Sequence, residues 1–416
     1  MVNGVCDCII IGGGASGLFA AARLIKESSG KIDITVIETG SKPGRKLLLT
    51  GSGRCNLTNK DCNISRYNTD DTDKLGSILS KFDPDDTVDF FENDLGVLVS
   101  LKGDLYYPST FKSSTVTDSL RLFVLEGGVK ILTETRVTGI ASDDGIYRVE
   151  LGTGEALSAR NVILATGGAS YPGTGSDGTG VALTESFVGE DNVIPFTPAL
   201  VPLKSDKKGL KALAGTRCTC RVTVVSDGQD IDSSEGEVLF TKEGGVSGIC
   251  IMDISGSALS LLDDGRPVSV FLDFMMRNPD EVYKMLSLRK NRFPSRKCSD
   301  AFAGMINKNI LEAVMRDLMI DPDMTAGEIK DARLLLLANA LCGWEIPVSG
   351  SEGLDNAQVS AGGIKLSCLT ENLCVKDHPG LYVIGEACNV NGICGGYNLQ
   401  WAWSSAAAAA RDIAHV

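Results

Sequence analysis

The chain begins with an almost unbroken apolar run over residues 6–11, interrupted only by Asp7, which is the pattern of a strand buried in a parallel sheet. It runs directly into Gly12-Gly13-Gly14-Ala15-Ser16-Gly17, and the alanine- and leucine-rich residues 18–24 that follow predict a helix. A second apolar run, residues 32–37, stops at Glu38. Two further apolar stretches end in glycine: residues 162–164 lead into Ala165-Thr166-Gly167-Gly168, and residues 381–384 into Gly385-Glu386. The alanine-rich stretch up to Ala414 predicts a final helix, with Asn398 as its N-cap.

Between about residues 195 and 357 the pattern changes. Residues 197–202 read as an exit linker, while 219–225, 237–240 and 268–271 alternate as antiparallel strands of a small barrel or sandwich. Residues 279–341 turn helical, with Ile310, Leu311, Val314, Met315 and Leu318 at helical spacing and a stop at Asp321-Pro322. Residues 344–348 then lead back. The expected architecture is α/β: a Rossmann-type nucleotide fold in two parts, 1–196 and 357–416, interrupted by antiparallel strands at 197–276 and 342–356 and a helical insert at 277–341.

Strand, glycine turn, helix and a terminal acid one strand later form the dinucleotide fingerprint. Gly12 makes the tight turn, Gly14 lets backbone approach a pyrophosphate, Gly17 lets helix pack on strand, and Glu38 accepts the ribose hydroxyls. This segment alone leaves FAD and NAD open. The loop at residues 40–59 favours the longer cofactor, because its glycines permit close approach and Arg45, Lys46, Asn56 and Thr58 can meet phosphates and a ring. A second G-x-G-x-x-G, Gly173 to Gly178, is separated from its strand by Ala169 to Pro172 and leads to no second strand ending in an acid. It predicts no separate NAD(P)H domain.

Residues 43–59 resemble the signature of the BaiN-like (YhiN-type) FAD-dependent oxidoreductases, a family that includes aminoacetone oxidases. Residues 162–172 resemble its ATGG segment, and residues 380–386 and 395–400 its C-terminal one. The resemblance implies a β-barrel insert carrying the helices, and non-covalent FAD. With the fingerprint it places FAD against Gly12, Gly14, Ala15, Ser16, Gly17, Glu38, Thr39, Arg45, Lys46, Gly53, Arg54, Cys55, Asn56, Val137, Thr166, Gly167, Gly168, Gly385, Glu386, Gly396, Tyr397, Asn398 and Leu399. It further implies a reductase in which flavin N5 delivers hydride to a conjugated carbon–carbon double bond of a steroid- or bile-acid-like enone, with Tyr171 and Tyr397 as candidate proton donors. The alternatives are an amine oxidase of the aminoacetone type and a flavin-holding module without turnover. Two departures bear on the substrate: Leu105 stands where members commonly carry the arginine of Gly-Arg-x-Phe-Pro, and Lys242 where many carry histidine.

Composition narrows the chemistry. A net charge of −13 argues against nucleic acid and anionic membrane as partners and for a small-molecule substrate. Only His378 and His415 are present, too few for a histidine metal site or a Ser-His-Asp triad. The 13 cysteines show no C-x-x-C spacing, so free thiols are expected, with Cys55 and Cys394 filling tight loops. With neither a leader pattern nor an apolar run long enough to span a bilayer, the expectation is a cytoplasmic enzyme. Its electrons would come from NAD(P)H as a transient donor or from a donor protein.

Overall fold

The computed structural model describes residues 4–415 and divides into two compact units, Met1–Ala199 with Ala357–Val416, and Leu200–Asn356. In the first unit the apolar run forms strand β1 (Val5–Ile11), the glycine turn opens helix α1 (Ala15–Ser28), and β2 (Ile34–Ile37) follows. All four β2 residues are buried, as a strand covered on both faces requires. These strands belong to a seven-stranded sheet in which Lys130–Leu132, β2, β1 and Ala156–Leu164 lie side by side in parallel. The last of these strands splits its pairing: its first half takes the antiparallel hairpin Val137–Asp143/Ile146–Leu151, and its second half takes Leu381–Val383 in parallel.

Register decides where chemistry can sit. Ile11 is level with Ile37 and Leu164, and Leu164 is level with Val383. The residues that follow these four strand ends therefore emerge at one carboxyl edge, where open parallel sheets bind ligands. The helix Tyr397–Ala414 packs on α1, and its indoles reach the loops: Trp401 donates to the Gly385 carbonyl and Trp403 to that of Leu57, both at 2.9 Å. Around them Phe19, Phe82, Phe90, Phe91 and Trp403 form an edge-to-face aromatic core.

The second unit holds a seven-stranded antiparallel sheet whose long hairpin, Arg217–Ser226 with Gln229–Phe240, is flanked by Val268–Asp273 and Trp344–Pro347. Helices Ile249–Asp263, Pro279–Arg292, Lys308–Asp317 and Asp331–Leu341 share its core. Two features depart from the sequence reading. Thr197 to Ala199 form no free linker but pair with Val359 to Ala361. Asn398 is not the N-cap: Gly396, at φ 93°, takes that position, and the Asn398 amide instead bonds both the amide and the carbonyl of Gly392 at 2.8 Å.

Candidate functional site

Space around the glycines separates their roles. A Cβ on Gly12 would lie 2.3 Å from the Ala165 carbonyl oxygen, and one on Gly17 would lie 1.9 Å from the Gly12 carbonyl oxygen. Both are therefore fixed by backbone packing. Gly14 meets nothing within 4 Å, so open space adjoins the start of α1, whose N-cap position carries no side-chain cap. Uncapped amides at a helix N-terminus are ready partners for phosphate. Glu38 is buried beside this turn: one oxygen accepts from the Gly13 amide at 2.9 Å and the other from Gly40 at 2.6 Å, with Thr39 at 3.4 Å.

A second cluster joins the loops that leave three strands. The Lys46 ammonium lies 2.7 Å from the Glu386 carboxylate and 2.5 Å from the Ser170 hydroxyl. Glu386 also accepts from the Ser360 amide at 2.8 Å, from its hydroxyl at 3.0 Å and from Ser170 at 3.2 Å. Burial alone would raise this carboxyl, but Lys46 and the Ser360 donors hold it below the ordinary glutamate range. Gly168 has to be glycine here, because its Cβ would fall 2.0 Å from the Ser360 hydroxyl. Gly385, at φ 65°, likewise leaves room for Ser16.

The other expected residues fall into distinct settings. Thr166 Oγ1 and Asn56 Oδ1 are buried without a hydrogen-bond partner, as groups awaiting a ligand are. The Arg45 guanidinium is held by the Gly173 carbonyl at 2.9 Å, while the exposed Arg54 follows Gly53, which is at φ 82°. Cys55 is fully buried at φ 57°, and burial pushes its thiol up to about 12, an inert filler rather than a nucleophile. Val137 opens a strand and packs in the core; Leu399 packs against the same core, and Gly167 sits at φ 75°. Tyr397 is 4% exposed, its ring edge-on to Tyr67 at 5.6 Å. Tyr171 is half-buried and left-handed at φ 52°.

Sequence reasoning missed Ser360 and the side-chain role of Gln400. Ser360 lies 26 residues from Glu386, with no local motif to join them. Gln400 is wholly buried: it accepts from the Thr58 and Thr87 hydroxyls at 2.5 and 2.9 Å and donates to the Phe82 carbonyl and the Ser404 hydroxyl. The second glycine motif opens no long helix; Pro172–Thr174 and Thr179–Thr184 are short 3-10 turns. All thirteen cysteines are free, and among the described residues no group of three or more His, Cys, Asp or Glu could hold a metal. Among them, too, no helix is long and apolar enough to cross a membrane.

Open space at Gly14, the buried acid beside the turn and the unpartnered Thr166 and Asn56 oxygens fit a dinucleotide cofactor. Comparison with known proteins agrees. The chain is 33% identical over 409 residues to the 3-dehydro-bile acid delta(4,6)-reductase of Clostridium scindens, covering 97% of this chain and 98% of that one. It is 30% identical over 419 residues to the ribosomal RNA dihydrouridine synthase of Escherichia coli, covering 98% of each. In fold it matches 3-ketosteroid delta1-dehydrogenase from Sterolibacterium denitrificans with a TM-score of 0.52 at 14% identity, covering 99% of both chains. Residues 6–412 match the model of the HI0933-like protein Rossmann domain, and the chain belongs to that family of FAD-dependent oxidoreductases.

Proposed function

We propose that the chain is a cytoplasmic reductase that saturates a carbon–carbon double bond conjugated to a carbonyl in a small, largely apolar substrate. The observation that carries this reading is the end-to-end 33% identity with a delta(4,6)-reductase, on a chain whose turn and acid fit a dinucleotide. The name dihydrouridine synthase also describes a double bond made single, so the two relatives share a reaction type while differing in substrate. A net charge of −13 weighs against an RNA substrate here.

Bound FAD would supply the hydride. The protein's part is to hold and to protonate. The α1 amides and the backbone around Gly14 would bind the pyrophosphate, and Glu38 would accept the ribose hydroxyls through lone pairs its backbone donors leave free. Lys46, Ser170 and Ser360 fix Glu386 as an ionised acceptor at the same sheet edge. The proton for the α carbon comes from Tyr171: it is half-exposed and its backbone is strained, whereas Tyr397 is closed in by Tyr67.

Anaerobically reduced protein mixed with a steroid enone should regain its oxidised flavin spectrum and yield the saturated ketone, and Tyr171→Phe should slow this without releasing FAD. Hydrogen peroxide formed from aminoacetone in air, with no reaction of the enone, would replace the reductase by an oxidase. Turnover of uridine-containing RNA alone would keep the reaction and change the substrate.

A further inference from the structure

The second glycine motif opens no long helix, yet its backbone lies against the acid of the first. A Cβ on Gly175, at φ 101°, would fall 3.1 Å from the Thr39 hydroxyl and 3.8 Å from the Oε1 of Glu38. One on Gly40 would fall 3.0 Å from the same Oε1, while the Gly13 amide donates to Oε2 at 2.9 Å. Glycine backbone therefore adjoins this carboxylate from three segments, an approach that the missing side chains permit. The segments leave three neighbouring strands: Gly13 follows β1, Gly40 follows β2, and Gly175 follows Ala156–Leu164, with β1 lying between the other two. The loop from Gly173 to Gly178 thus crosses the carboxyl edge past the first glycine turn to reach Glu38.

Two sets of bonds hold the loop in this position. At its base the Ser176 hydroxyl and the Gly178 amide donate to the Gly168 carbonyl at 2.8 and 3.0 Å, tying it to its own strand end. Two arginines tie it across. Arg45, whose Cδ lies 3.2 Å from the Cβ position of Gly40, donates to the Gly173 carbonyl at 2.9 Å. Arg136 pairs with Asp177 at 2.9 Å and donates to the Thr179 hydroxyl at 3.3 Å. It is itself fixed beside the acid, because the amides of Glu134 and Thr135 donate to the Gly40 and Glu38 carbonyls, both at 3.0 Å. Both arginines therefore start next to Glu38 and end on the loop. The Arg136 and Asp177 side chains are 55% and 32% exposed, so their pair adds little to the stability of the fold. What it fixes is the position of the loop over the acid.

We propose that residues 173–178 form a latch over the adenosine-ribose end of the cofactor site, with the Gly175 backbone as its wall beside Glu38 and the Arg136–Asp177 pair and the Arg45–Gly173 bond holding it shut. The proposal rests on the reading of Glu38 as the ribose acceptor of FAD and adds what retains that end of the cofactor. The second glycine motif then takes part in binding the same dinucleotide as the first. Gly175 is glycine because any side chain there would enter the space between the loop and the Glu38–Thr39 pair.

The test is the rate at which FAD leaves the loaded full-length protein, together with titration of the same chain stripped of FAD. The titrants are ADP, which carries the ribose and pyrophosphate, and FMN, which lacks the adenosine. Arg136→Met should release FAD faster and bind ADP more weakly, each by about two- to fivefold, as the loss of one exposed pair implies. Asp177→Asn should do the same, although removing a negative charge would by electrostatics alone tighten an anion. Gly175→Ala should weaken ADP by at least about tenfold, since a Cβ at this positive φ presses on the Thr39 hydroxyl. All three should bind FMN as wild type does. Unchanged ADP affinity in Arg136→Met, tighter ADP binding by Asp177→Asn, or a loss that FMN shares overturns the proposal. Gly14→Val separates the two readings. ADP bound by Gly14→Val as by wild type removes the placement of the dinucleotide, and the latch with it; ADP lost from Gly14→Val but from none of the loop variants overturns the latch alone.

Discussion

At the scale of single residues, the three fingerprint glycines separate into two that hold the fold and one that leaves room. Gly17→Ala would drive a Cβ to 1.9 Å from a backbone oxygen, so little folded protein is expected. At Gly14 an added Cβ has no protein atom within 4 Å and needs no positive φ, since Gly14 lies at −75°, so Gly14→Val is directed at the cofactor's space. The apoprotein should therefore melt as wild type while its FAD affinity falls by more than about tenfold. Calorimetry and flavin fluorescence on the two variants check this, and full FAD occupancy in Gly14→Val would refute the placement of the pyrophosphate. Glu386 makes a pH prediction. Its folded-state carboxyl is held below the usual value of 4.5, so its contribution is present above that value and is lost as pH falls through the lower folded one. The melting deficit of Lys46→Met should accordingly be large near neutral pH and shrink as the pH falls below the ordinary glutamate value of 4.5. A deficit that does not change with pH would mean that the pair is not ionic.

At the scale of elements, the C-terminal helix is the clamp on the loops that frame the site. Gln400 occupies all its bonding capacity on Thr58, Thr87, Phe82 and Ser404, so Gln400→Leu strands the buried Thr58 hydroxyl, while Thr87 keeps the Asp83 carbonyl and the Phe82 carbonyl keeps the Ser404 hydroxyl. Each buried group left unpaired costs about 1–3 kcal/mol. The melting temperature should fall, and FAD affinity with it, because Thr58 directly follows the loop that ends at Leu57. A Gln400→Leu protein as stable as wild type would show that the network is dispensable. What the sequence disclosed at this scale follows from the range of the forces. The β1 strand, its turn, α1 and Glu38 are contiguous and set by local pattern, and they stand in the structure in the expected order, with both strands within two residues of the expectation and α1 extending beyond the expected 18–24 at both ends. Two- to four-residue strands such as Thr58–Asn59 and Val99–Lys102 are too short to carry an alternation signal. Asn398 misled because its amide has two possible uses, and bonding Gly392 prevailed once Gly396 could adopt a left-handed cap. The Ser360–Glu386–Lys46 cluster, whose outer members lie more than 300 residues apart, exists only after the sheet has aligned its strand ends.

At the scale of the whole molecule, the number of nucleotide folds constrains electron entry. Among the described residues one parallel sheet presents one strand–turn–helix unit with an acid at the neighbouring strand end. The second glycine motif is spent on a loop: the Gly173 carbonyl takes Arg45, and Asp177 pairs with Arg136 at 2.9 Å and with the Thr179 hydroxyl at 2.6 Å. Its carboxyl is held below the ordinary aspartate range by those donors in spite of burial, so it stays ionised and staples Arg136 to Thr179. Among the described residues a nicotinamide donor finds no second unit of this kind, and on the proposed reading it would share one pocket with the acceptor, one after the other. Steady-state rates at varied NADH or NADPH and varied enone should then give parallel double-reciprocal lines, and a saturated analogue of the substrate should compete with the nucleotide during anaerobic reduction. Intersecting lines, together with an analogue that leaves reduction by NAD(P)H unchanged, would mean that both bind at once, and would return the Gly173 to Gly178 loop to consideration as a nucleotide site. Failure of both nucleotides to reduce the protein, with rapid reduction by a ferredoxin- or flavodoxin-type protein, would assign electron entry to a protein partner.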